Sequence, residues 1–240
     1  MDETVILVYG RFQPFTIGHL SMLDNISQLK EMGYNNYYVG TSAVNEHKHK
    51  PVLKPASIRN VHTSKNLVEH NDRKNPLNTK QKVKYIKLAM KSIGLDSKKV
   101  FVSSSPINAF KKMRARARKI IIISGSDRVP ELRQILDTNN NKYFQNFERY
   151  DIISVDREGS GISATLVRSL AVENNFEEFK KKVSYLDETR QKKLYNQLRK
   201  AYYDMIRSHN SLVGPIENVA TNSTSPSTFS ISSKSKSKQK

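Results

Sequence analysis

The apolar run Val5-Ile6-Leu7-Val8-Tyr9 ends in Gly10-Arg11-Phe12-Gln13-Pro14-Phe15-Thr16-Ile17-Gly18-His19 and passes without a break into a segment of helical period. A short apolar run closed by glycine reads as a buried strand. The chain is therefore committed at its outset to a strand–loop–helix unit in which a glycine, an arginine and a histidine reach a helix start together. Backbone N–H groups at such a start lack intrahelical partners, and the helix dipole adds positive potential, so the place favours an anion. Gly18 lets a bulky phosphate approach the chain closely, and His19 adds a donor.

Far downstream, Gly161-Ile162-Ser163-Ala164-Thr165-Leu166-Val167-Arg168-Ser169-Leu170 repeats the logic, with Ser163 or Thr165 as the N-cap and Arg168 about one turn further along the same face. Two such starts can grip one polyphosphate. Between them, apolar runs alternate with helical-period segments, which argues for an α/β fold with a doubly wound parallel sheet. Strands are expected near 4–9, 36–42, 99–103, 119–124 and 150–155. Ile120-Ile121-Ile122-Ile123 has the continuous β-branched character of a central strand covered on both faces. Helices are expected near 17–32, 79–93, 106–117, 128–138, 163–173, 175–183 and 187–208. If the strand order is 3-2-1-4-5, Gly125-Ser126-Asp127 joins the same rim from the strand beside the first one.

These residues resemble the fingerprints of the nucleotidylyltransferase superfamily, (H/T)xGH after the first strand and ISxTxxR at the start of a late helix, over roughly residues 4 to 185. The resemblance implies a Rossmann-like fold of the HUP type with C-terminal helices, and transfer of a nucleotidyl group with release of pyrophosphate. It implies catalytic roles for His19, Arg168 and Thr16, the last standing where many members carry a first histidine. Nucleotide contacts would come from Gly10, Arg11, Phe12, Gly18, Gly125, Asp127, Ser163 and Thr165, with no metal-ligating side chain. Magnesium, which dehydrates reluctantly, would be held mainly by the triphosphate.

GRFQPF is most similar to nicotinamide mononucleotide adenylyltransferases, which join that mononucleotide to the adenylyl group of ATP. GISAT also resembles the GIST of cytidylyltransferases, although their RTxGIST spacing is one residue shorter than Arg157 to Gly161 allows. ISxTxxR tilts the choice of base towards ATP. Arg73-Lys74-Asn75-Pro76-Leu77, the stretch 125–132 and Asn175-Phe176-Glu177-Glu178-Phe179 look like cytidylyltransferase-like proteins of large DNA phages and viruses, implying a viral chain working in a host cell. Class I aminoacyl-tRNA synthetases share the fold, but they need a KMSKS-type lysine loop and far more chain.

At 240 residues and 37% hydrophobic content the chain suits one α/β domain and a tail. The reading is a nucleotidylyltransferase domain over 1–185 with a long basic insertion at 43–78, a C-terminal helix over 186–210, and a disordered Ser/Lys-rich tail over 211–240. No cysteine is present, which excludes disulfides, thiol nucleophiles and thiolate metal sites. An acidic start and the lack of any membrane-length apolar run point to a soluble cytoplasmic protein. His47 and His49, with Glu46, lack a partner cluster and read as solvated loop residues.

Formal charge is +19, from 41 Lys+Arg against 22 Asp+Glu; Glu217 and four lysines give residues 211–240 a net +3, leaving +16 for the rest. A field of that sign steers nucleotides and equally permits weak nucleic-acid binding. The expected partners are thus a nucleoside triphosphate and a phosphorylated small-molecule acceptor, with no membrane. The competing reading is a non-enzymatic nucleic-acid-binding module whose contacts lie at 111–119 and in the tail.

Overall fold

The computed structural model of the chain describes residues 3–43, 75–143, 147–156 and 162–213, with backbone only at 139–143 and 208–213. Most of the basic insertion (His47, His49, Lys48, Lys50 and Lys54 included), Arg157, Gly161 and the proposed tail from 214 onward lie outside the described residues.

Five strands form one parallel sheet in the order β3-β2-β1-β4-β5: β1 (Thr4–Gly10), β2 (Tyr37–Ser42), β3 (Val100–Ser103), β4 (Lys119–Gly125) and β5 (Arg149–Val155). The alternation of side chains along β1 divides the core. Ile6 and Val8 enter one cluster with α1 (Ile17–Glu31) and α2 (Thr79–Ser92), through Met22, Leu23, Ile26, Ile86 and Met90. Val5 and Leu7 enter the other with α3 (Pro106–Arg114) and α4 (Val129–Tyr143), through Phe110, Met113, Leu132 and Leu136. Helices thus cover both faces, as expected for strands that are apolar throughout.

A third cluster stands beside the sheet. Here α5 (Ala164–Val172), α6 (Phe176–Lys182) and α7 (Glu188–Val213) pack Val167, Leu170, Phe179, Leu194, Tyr195 and Leu198 against Leu77 and against Tyr85 of α2. No helix among the described residues is long and apolar enough to cross a membrane.

Three helix ends differ from the sequence reading by three residues or more. The helix expected to reach 117 stops at Arg114, because the amides of Arg116 and Ala117 both turn back to the Met113 carbonyl and bring buried Ala117 under the sheet before β4. The helix expected over 128–138 runs to Tyr143, and the last helix runs to Val213, past the proposed boundary at 210. Extending an existing helix fixes one residue per added hydrogen bond, so weak formers such as asparagine are tolerated at its end. Short 3₁₀ turns at Ser97–Lys99 and Ser126–Arg128 precede β3 and α4.

Candidate functional site

The carboxyl ends of β1 and β4 lie level, since Val8 pairs with Ile123 and both strands continue two residues to Gly10 and Gly125. The loop Arg11–Thr16 that follows β1 is held on three sides. Gln13 makes a double clamp on Leu77: its Nε2 donates to the Leu77 carbonyl at 2.7 Å and its Oε1 accepts from the Leu77 amide at 3.0 Å. The Tyr185 hydroxyl donates to the Phe15 carbonyl at 3.1 Å. Arg168 donates through one terminal nitrogen to the Gln13 carbonyl at 2.6 Å. The late motif therefore touches the first one directly.

Phe12 occupies the left-handed region at φ 49°, uncommon for a bulky residue, and its ring turns inward over Gly10. A Cβ at Gly10 would meet the Phe12 ring at 2.8 Å, so glycine there makes room for the ring. Phe12 is buried, so its ring belongs to the core and not to the surface of the rim.

Thr16 is the N-cap of α1 and is fully buried. His19, at the third position of the helix, accepts at Nδ1 from the Thr16 amide (3.1 Å), and the Thr16 hydroxyl lies 2.9 Å from the same nitrogen. Accepting at Nδ1 puts the proton of the neutral imidazole on Nε2, which becomes the donor. Phe12 and Phe15 flank the ring at centroid distances of 5.1 and 5.3 Å. Thr16 thus reaches the imidazole and fixes its orientation. The amides of His19 and Leu20 bond to the Thr16 carbonyl, so Ile17 and buried Gly18 contribute the amides without intrahelical partners.

At the second helix start, Ser163 is the N-cap: its hydroxyl accepts from the Leu166 amide at 3.0 Å. Thr165 instead accepts from Arg168 at 2.9 Å, spreading the guanidinium between α5 and the β1 loop. Neither α1 nor α5 carries an acidic residue in its first turn to offset its dipole. Asp127 is exposed on the 3₁₀ turn after β4, at the rim beyond buried Gly125.

Lys82, on α2, is a member of the site that motif reading missed. It is 1% exposed, and its ammonium donates to the Ser42 carbonyl at 2.6 Å and to the Ser42 hydroxyl at 3.3 Å, at the end of β2. Burial first, and the nearby Arg11 guanidinium second, hold its pKa down at about 8. The same two causes lower that of Arg168. Arg11 therefore lies within electrostatic reach of both, and among the described residues none of the three cations is ion-paired. The signal was a lysine on the apolar stripe of α2, in phase with Tyr85, Ile86, Ala89 and Met90.

Three cations without an ion pair among the described residues, with two helix N-termini, give this end of the sheet the chemistry to hold a polyanion. Residues 7–170, more than half the chain, match the family model of cytidylyltransferase-like proteins. The chain belongs to the cytidylyltransferase-like family. The match runs from within β1 to within α5 and so takes in both motifs. No curated protein matches the sequence.

Among solved structures, a Vibrio parahaemolyticus protein assigned as a nicotinate-nucleotide adenylyltransferase is 15% identical with a TM-score of 0.47, over 82% of this chain and 96% of that one. A macrolide-efflux protein from Streptococcus pneumoniae is 17% identical with a TM-score of 0.43, over 77% of this chain and 56% of that one. The nicotinic acid mononucleotide adenylyltransferase of Plasmodium falciparum, in complex with APC, is 15% identical with a TM-score of 0.39, over 81% and 98%. For this cytidylyltransferase-like chain the fold is established by its own sheet order.

Proposed function

We propose that the chain transfers a nucleotidyl group, adenylyl from ATP, to a phosphate-bearing acceptor such as nicotinamide mononucleotide and releases pyrophosphate. The observation that carries this reading is the bond from Arg168 to the Gln13 carbonyl, which brings the late helix onto the loop after β1. In such a transfer an acceptor phosphate oxygen attacks the α-phosphorus in line, forming one P–O bond as the bond to the pyrophosphate oxygen breaks. Positioning and charge neutralisation supply the acceleration.

The Nε2–H of His19 would donate to the α/β-phosphate region, where charge builds, and Thr16 would hold the imidazole for that task. Arg168 and Lys82 would take the β/γ end, and Arg11 the triphosphate or the acceptor's phosphate. Gly10 and Phe12 would shape the loop, Gly18 would offer its amide, Ser163 and Thr165 would order the second helix start, and Gly125 with Asp127 would border the ribose or base. Among the described residues there is no cluster of three or more His, Asp or Glu able to hold a metal. With cations lining the site, magnesium would be held by phosphate oxygens.

The acceptor rests on the GRFQPF resemblance. The family match supports CTP as the alternative donor. The test is pyrophosphate release from ATP and from CTP across phosphorylated acceptors, with nicotinamide mononucleotide first. His19→Ala and Arg168→Ala are each expected to lower turnover by about 10²–10³, with unchanged circular dichroism. Turnover retained in either variant would count against the roles given to His19 and Arg168, and no release from any pair would favour a binding module over an enzyme.

A further inference from the structure

The opposite, amino-terminal ends of β2 and β3 carry a second concave surface, remote from the site described above. A groove of about 520 Å³ is lined by Tyr38, Phe101, Lys98, Lys99, Lys112 and Arg116, together with small and apolar neighbours, and by no carboxylate. Tyr38 and Phe101 stand edge to face at 6.3 Å. Lys99 lies 5.0 Å and the Arg116 guanidinium 4.8 Å from the Tyr38 ring centroid, and Arg116 also donates to the Tyr38 hydroxyl at 3.0 Å. Lys112 lies 5.5 Å from the Phe101 centroid and donates to the Val102 carbonyl at 3.0 Å.

From Ser97 to Lys119 the sequence holds Lys98, Lys99, Lys111, Lys112, Arg114, Arg116, Arg118 and Lys119 without one acidic residue. At the far end, Arg118 pairs with Glu148 at 3.5 Å and Lys119 with Glu3. The four cations of the groove have no ion pair among the described residues. Across the edge strand, α2 lines a smaller depression of about 360 Å³ with Lys80, Lys84, Lys87 and Lys91.

We propose that this groove binds single-stranded nucleic acid. Like charges gathered without counter-charge gain from a polyanion, and an aromatic floor capped by a guanidinium plane is a surface on which bases stack. Tyr38 is already covered by Arg116, so a base would stack on the outward plane of that guanidinium, with backbone phosphates on Lys98, Lys99 and Lys112. The concavity favours splayed bases over a bilayer, which could not reach rings in the floor. An acidic peptide would meet the charge and leave the aromatic surface unused.

The test is fluorescence anisotropy of labelled oligo(dT) and oligo(rU) with the full chain across a salt series. Single-strand binding loses affinity with a log–log slope of about 0.7 per neutralised phosphate. Lys112→Ala with Arg116→Ala is expected to weaken binding about tenfold and to flatten the slope by about 1.4, with unchanged circular dichroism and unchanged pyrophosphate release. Lys98→Ala with Lys99→Ala should do likewise. Replacing Lys234, Lys236, Lys238 and Lys240 by alanine should change affinity less than twofold, as should His19→Ala. The proposal is overturned by unchanged affinity in both groove variants, by a loss that follows the tail variant instead, by inorganic polyphosphate displacing labelled oligo(dT) as well as unlabelled oligo(dT) does, or by preferential binding to phosphatidylserine vesicles.

Discussion

Lys82 is the group whose protonation depends most on what fills the site. Its pKa, held at about 8 by burial and by Arg11, lies below the ordinary lysine value in the unfolded chain. Between about 8 and about 10.5 the unfolded chain then binds more protons, so this lysine makes the fold more stable as pH rises through that window and adds nothing to the slope below it. A bound triphosphate reverses the preference and favours the ammonium. Triphosphate affinity is expected to fall as pH rises past about 8, with proton uptake on binding seen by calorimetry in buffers of different ionisation enthalpy. Lys82→Met should remove both effects, and a wild-type affinity indifferent to pH would argue that Lys82 does not face the ligand. Gly10→Ala tests a second single position. The added methyl meets the Phe12 ring at 2.8 Å while Phe12 is already held at φ 49°, so a loss of about 1–3 kcal/mol in urea unfolding is expected.

The loop after β1 owes its shape to elements distant in the chain. Gln13→Leu would leave the amide and carbonyl of fully buried Leu77 unmatched, at a cost of about 2 kcal/mol or more. It should also raise KM for the triphosphate, because α2 and Lys82 lose their tie to the loop; unchanged KM and urea midpoint would show the clamp to be dispensable. The strands were legible because β1 and β4 are apolar without interruption; the order 3-2-1-4-5 entered only as a condition, and the sheet has that order. The contact of Arg168 with the first loop was implied by two motifs gripping one polyphosphate, whereas its bond to the Gln13 carbonyl was not. Gln13 and Leu77 lie 64 positions apart in no periodic relation, and nothing local marks them as partners. Lys82 was hidden for another reason: a charge on an apolar stripe shows that it is buried, but not which sheet end it faces. Helix ends at Arg114, Tyr143 and Val213 were misjudged because chain geometry and propagation decide them more than composition does.

The folded part of this molecule is strongly basic, and its two cationic regions lie at opposite ends of the parallel strands. Ligand binding should therefore be felt as global stabilisation. A triphosphate at a hundredfold its Kd adds about 2.7 kcal/mol, and the accompanying rise in Tm should shrink as salt is added, since Arg11, Lys82 and Arg168 supply the attraction. A larger rise with ATP than with CTP is expected, and the reverse order would reassign the donor base. The third hydrophobic cluster ties the last helix to this same task, because Leu194, Tyr195 and Leu198 brace Val167 and Leu170 on the helix that bears Arg168. A chain shortened after α6 would keep every strand and both fingerprints, yet the helix bearing Arg168 would lose Leu194, Tyr195 and Leu198 and keep only Leu77, Tyr85, Phe179 and Val183 behind it. The last helix is a splint for the helix that would carry the phosphate-binding guanidinium.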